Sequence, residues 1–125
     1  MQQLFLHPAW DKTISEQDRA LIEKLFEESY TDVRDLIMSP LIRAAFNHKQ
    51  ELLITVLIHN FTHHSVAFRN RAVLISSGEY YFEQQFTIPD LTVAPFTSMP
   101  WTFIFEPNHD FKNLDLVTIQ IEIDE

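Results

Sequence analysis

Residues 99–107 read Met-Pro-Trp-Thr-Phe-Ile-Phe-Glu-Pro. Trp101, Phe103 and Phe105 alternate with Thr102, Ile104 and Glu106, the period of two of a strand that buries one face. Pro100 cannot donate to a ladder and is tolerated only at a strand's start or edge, and Pro107 cannot continue one. The two prolines are therefore expected to bracket a short strand. This aromatic strand is read as the centre of the core, and the remaining segments as surfaces packed around it.

Strand patterns surround it. Residues 51–61, ELLITVLIHNF, are apolar on both faces up to His59 and Asn60, as expected of a central strand covered on two sides. A shorter strand is expected at 42–46 and a further one at 66–76, with residues 60–65 as a polar turn between 51–61 and 66–76. Ser76-Ser77-Gly78-Glu79 is the clearest hairpin turn. Tyr80, Phe82, Phe86 and Ile88 then alternate with polar residues until Pro89-Asp90, which is expected to break the strand. Residues 91–98 read as irregular or as a short edge, and 108–113 as a loop. Val117, Ile119, Ile121 and Ile123 alternate with Thr118, Gln120, Glu122 and Asp124, a last one-faced strand.

The N-terminal third differs. Residues 4–10 form an apolar lead-in, extended before Pro8. Ser15 reads as an N-cap, with Glu16 and Asp18 in the first helical turn, where the dipole favours negative charge. Leu21, Ile22, Leu25, Phe26 and Tyr30 make one stripe, predicting an amphipathic helix over about 16–30. Residues 31–40 read as a connector, in which Val33, Leu36 and Ile37 fit a short helical turn. The expected architecture is one domain over residues 1–125. It is mainly β with an N-terminal helix: an antiparallel, Ig-like sandwich of six to seven strands. The alternative is an α+β fold, a helix packed on a curved antiparallel sheet.

Composition narrows the function classes. Eleven Phe and a 46% hydrophobic content argue for a packed core, not a disordered chain. One glycine leaves no glycine-rich phosphate cradle, and the absence of cysteine excludes disulfides and thiolate chemistry. Net charge is −9, with the acidic excess concentrated in residues 1–39 and 106–125. Such a surface repels phosphate backbones and anionic membranes, so neither nucleic acid nor membrane is an expected partner. No apolar run approaches membrane-spanning length and the N-terminus lacks a signal-peptide pattern, so a cytoplasmic location is expected.

Few residues suggest chemistry. His59, His63 and His64 are the metal candidates, since a strand–turn–strand could converge three imidazoles. Against this, adjacent residues of an extended chain point to opposite faces. They are read as solvated turn residues, with no metal and no cofactor. Glu27-Glu28 and Asp32-Asp35 are paired acids, read as solvated helix faces, because paired-carboxylate catalysis needs two groups opposed across a cleft. No nucleophile elbow is present. Trp101, Phe103, Phe105, Ile54, Val56, Ile119 and Ile121 are assigned to the core. Trp10 either plugs one end of the sandwich or stands exposed; with Glu27 and Glu28 it is a candidate for partner binding.

Three stretches together resemble the SLAP domain (S-layer assembly-associated domain) family of Bacillus and related Gram-positive bacteria. They are Leu6-His7-Pro8-Ala9-Trp10 with the following helix, residues 54–60 ending in Asn60, and residues 89–105 with their Pro-Trp-Thr-Phe strand. The chain departs from the family pattern at Met99, where arginine is expected, and at Asn47-His48-Lys49-Gln50, where glycine is expected. It departs again at Val117-Thr118-Ile119, where a closing tryptophan is expected.

The resemblance implies a cytoplasmic, non-enzymatic protein-interaction domain assisting accessory Sec secretion or surface-layer assembly, without catalytic residues. Its partner would be a secretion or surface-layer component, met by an exposed edge strand or by the acidic helix face. The competing classes are a small-molecule binder or enzyme with a pocket between helix and sheet, and a homo-oligomerisation module.

Overall fold

Two sheets face each other across a layer of phenylalanine rings. The computed structural model describes residues 2–28, 36–107, 111, 114–116 and 119–124. The elements are β1 (Gln3–Leu4), α1 (Pro8–Thr13), α2 (Glu16–Glu28), β2 (Leu36–Phe46), β3 (Leu52–Asn60), β4 (Val66–Ser77), β5 (Tyr80–Val93), β6 (Thr97–Phe105) and β7 (Gln120–Asp124). One sheet has the order β1-β6-β3-β2 and the other β5-β4-β7. The result is mainly β, open and not a barrel, a sandwich-like arrangement with helices at its N-terminal end.

The period-two reading of the aromatic strand places its faces correctly. Leu52, Ile54, Val56 and Ile58 of β3 lie opposite Phe105, Phe103, Trp101 and Met99 of β6, all on the face toward the second sheet. There Phe103 meets Phe68 and Phe86, and Phe105 meets Phe82 and Phe86, with ring centroids 5.1–5.6 Å apart. These are tilted and edge-to-face contacts of the kind aromatic quadrupoles favour. Ile119 and Ile121 are buried in the same layer. Trp101 is only partly buried, at the margin of this core, so the centre belongs to Phe103 and Phe105.

β6 stops before Pro107 as the sequence suggests, but Pro100 and Pro89 do not interrupt their strands. β6 starts at Thr97, so Pro100 lies within it. The carbonyls of Phe96 and Ser98 accept from Gln3 and Phe5, so the even-numbered positions of this strand turn their backbone groups toward β1. Pro100 is even-numbered; its missing N–H would have continued the β1 ladder, and no bond to β3 is lost. β1 ends there instead. β5 likewise runs through Pro89 to Val93. Ala67 pairs with Thr92 and Phe68 with Ile88, so residues 89–91 form a bulge in which Pro89 needs no ladder partner. Leu91 and Val93 return to the core, and residues 97–98 already belong to β6. β2 begins at Leu36, so Leu36 and Ile37 are strand and not helical turn; a register shift lets it pass Pro40. β1 pairs parallel to β6, an exception to the antiparallel expectation.

Local signals hold at the helices and turns. Ser15 Oγ accepts from the Asp18 N–H at 3.0 Å, capping α2. α1, unanticipated, starts immediately after the extended His7, with Pro8 at its first position and His7 Nδ1 accepting from the Ala9 N–H. Ile22 of α2 is buried and Asp18 pairs with Arg43 of β2 at 3.1 Å, which sets the helix over the outer face of the four-stranded sheet. Leu21 is 40% exposed, so the buried stripe is narrower than the sequence pattern implies. Tyr30, Asp32, Val33, Asp35, Val117 and Thr118 lie outside the described residues, as do all of 108–113 except Phe111.

Gly78 and Glu79 are the two loop residues of the β4–β5 hairpin, and Gly78 has φ +62°. Nothing lies within 4 Å of where a Cβ would stand. Gly78→Ala should then cost about 1 kcal/mol from conformation alone, read by chemical denaturation. A loss above about 3 kcal/mol would show that sterics and not torsion set this residue.

Candidate functional site

β2 and β7 approach each other across the two sheets and close one side of the sandwich. The other side, between β5 and β6, holds a groove of about 590 Å³. Each wall follows from register. β5 is the outer strand of its sheet, and among the described residues β6 has no strand beside it past Ser98, where β1 stops. Trp101, Thr102 and Ile104 form one wall, and residues 84–88 of β5 the other. Trp10 of α1 stands at the Trp101 end, where the His7 ring packs edge-on against Trp101 at 5.6 Å.

Glu51 and Glu106 line the groove's far end. They sit one residue beyond the paired Leu52 and Phe105, so the β3–β6 register brings them to the same place. Glu106 is five residue steps along the chain from Trp101, about 16 Å when extended. Gln84 reaches across from β5: its Oε1 accepts from the Glu106 N–H at 3.0 Å and its Nε2 lies 3.4 Å from the Ile104 carbonyl. This side-chain amide occupies the place a neighbouring strand would take. Among the described residues no lysine or arginine lines the groove.

The histidines are dispersed in role. His59 is not a solvated turn residue: it lies within β3, buried on the outer face of the sheet, with Nδ1 2.6 Å from Ser98 Oγ and its ring stacked on Phe61. His63 and His64 are exposed, and their rings touch at 4.1 Å because the chain bends there and is not extended. Among the described residues no group of three His, Asp or Glu side chains is placed to hold a metal ion. Glu27 and Glu28 are exposed on α2, away from the groove lining. Of the sequence-derived partner candidates, Trp10 alone lines it.

Asn60 does structural work that its place at a strand end only hints at. β3 and β4 belong to different sheets, as do β5 and β6, so two crossovers meet at this end of the sandwich. The buried Asn60 Nδ2 donates to the His64, Val93 and Ala94 carbonyls, and Oδ1 accepts from the Thr62 N–H and Oγ1. One amide thereby ties both crossovers together.

Glu51, Gln84, Thr102, Ile104 and Glu106 carried no functional signal in sequence. The available pointer was Pro100: a proline inside a strand pattern implies that one side of that strand lacks a continuous neighbour.

Fold and groove define a mainly β, sandwich-like domain with N-terminal helices and a cleft along one open edge. The family model described as the SLAP domain (Sec_acc_SLAP) matches residues 4–124. The chain belongs to the SLAP domain family. Comparison with curated proteins and with solved structures gave no match. No described helix is long and apolar enough to cross a membrane.

Proposed function

We propose that this chain is a non-enzymatic protein-interaction domain of the cytoplasm, serving accessory Sec secretion or surface-layer protein assembly. The observation that carries the reading is the groove beside the open edge of β6, lined by two tryptophans and two glutamates. Exposed strand edges recruit extended chains, and a carboxylate-lined cleft favours a basic partner. The match to a family whose name joins accessory Sec to SLAP supports the choice of pathway. The polar side chains nearest to a catalytic appearance, His59, Ser98 and Asn60, are engaged in holding sheets and crossovers. Ile22 of α2 and Leu57 of β3 are buried, so a small-molecule ligand would have to use the open groove beside α1 itself.

The test is affinity capture of the tagged full chain from a Gram-positive lysate, with mass spectrometry of the eluate and its native mass. Co-purification of a secretion ATPase, a chaperone or a surface-layer precursor is the expected result. A stoichiometric small molecule with no protein would replace this reading by ligand binding. A pure homo-oligomer without partners would replace it by an oligomerisation module.

A further inference from the structure

The backbone of β6 from Pro100 to Ile104 has one satisfied side and one open side. Odd-numbered residues bond to β3, while the even-numbered ones turn toward the line of β1, which ends opposite Ser98. Pro100 has no N–H to offer there, and Gln84 covers the Ile104 carbonyl and the Glu106 N–H. Between these two guarded positions the Thr102 N–H and carbonyl face no described strand. An edge closed at both ends and open in the middle accepts a short extended segment in one register while resisting indefinite strand addition.

The groove beside that edge has two chemically different ends. Trp10 and Trp101 offer large apolar rings at one, and Glu51 and Glu106 offer negative charge at the other, in a chain of net charge −9. We propose that the β6 edge at Thr102 takes an extended segment of a partner protein as an added strand. Its apolar side chains pack on Trp10 and Trp101, and a lysine or arginine reaches Glu51 and Glu106. This rests on the protein-interaction reading above and names its surface and the chemistry of its partner. Main-chain bonds supply the docking, and the aromatic and acidic ends select the segment.

Thr102→Pro isolates the idea. It removes only an N–H that points away from β3, as Pro100 already does one rung earlier, together with the 2.7 Å Thr102–Thr55 hydroxyl contact. Glu106→Lys, at an exposed residue, reverses the charge of one end without touching the edge. The full chain is panned against a displayed library of random eight-residue peptides, and the enriched peptides are resynthesised. They should alternate apolar residues and carry Lys or Arg at one end, and Thr102→Pro and Glu106→Lys should each weaken them about tenfold or more. Unfolding curves close to the parent's would show both variants folded, and Glu27→Lys on α2 should bind as the parent does.

Peptides that bind Thr102→Pro as tightly as the parent would overturn the edge assignment while leaving a protein-interaction domain. Enrichment of acidic peptides, or of none, would also overturn it; lysate capture then decides independently whether the wider reading survives. A dimer dissolved by Thr102→Pro would make a second copy the occupant and overturn the proposal as well.

Discussion

Phe103→Ala lowers the unfolding free energy by about 4 kcal/mol, the range expected when a fully enclosed ring leaves a cavity that cannot collapse. Phe103 has no exposed surface, packs against Phe68 and Phe86 of the opposite sheet, and sits across from Ile54 in its own. Neighbours on both sheets are held by ladders, so they cannot move in to fill the space. Thermal and urea unfolding read the effect, which at this chain length corresponds to a fall in Tm of roughly 10–20 °C. The same truncation at the partly buried Trp101 should cost distinctly less. A larger loss at Trp101 than at Phe103 would place the centre of the core at the groove end of β6, against the burial seen.

Asn60→Ala is the second large effect, about 3 kcal/mol, and its origin is different. No cavity of that size is involved. The side chain of Asn60 contacts the carbonyls of His64, Val93 and Ala94 and the Thr62 N–H, and removing it strands the buried Val93 carbonyl and takes a partner from the part-buried others. Asn60→Asp separates this from simple loss of packing, because it keeps the shape but sets a carboxylate against the three carbonyl oxygens. Folding then favours the protonated acid, raising its pKa above the unfolded value. The folded state holds the proton more tightly, so Asn60→Asp should be least destabilised below the usual carboxylate pKa of about 4 and lose stability as pH rises past it. A pH-independent deficit in Asn60→Asp, or a loss below about 0.5 kcal/mol in Asn60→Ala, would remove Asn60 from its role as the tie between crossovers.

The groove was only partly legible in sequence. Pro100 announced that the aromatic strand has an incomplete side, but its position in the chain does not say which neighbour stops. In the structure the neighbour is β1, about a hundred residues distant, and the strand itself continues in both directions. Trp10 stood out by residue type alone. Gln84 did not, because a glutamine on the polar phase of a strand looks like any solvated residue. Its significance lies in reaching Ile104 and Glu106, 20 and 22 residues further on. Glu51 and Glu106 likewise become a pair only through the β3–β6 register. The three histidines illustrate the opposite case, near in sequence yet divided between a buried face and an exposed bend.

What the sequence by itself determined was set by forces that act within a few residues. Alternation chose the buried faces of β5 and β6, Ser15 capped α2, and Gly78 supplied the positive φ of the hairpin. The missing N–H of proline was equally readable, but its consequence was not, since whether it ends a strand or sits in a bulge depends on where the neighbouring strand lies. Tertiary structure alone decided that β3 and β4, adjacent in sequence, part into different sheets, that β1 returns in parallel to the far end of the chain, and that Asn60 joins the two crossovers. It also decided that β6, among the described residues, keeps a side without a neighbouring strand past Ser98. Strand partners are selected by burying the aromatic layer between sheets, a non-local gain that overrides local preference and leaves no mark in any short window of sequence.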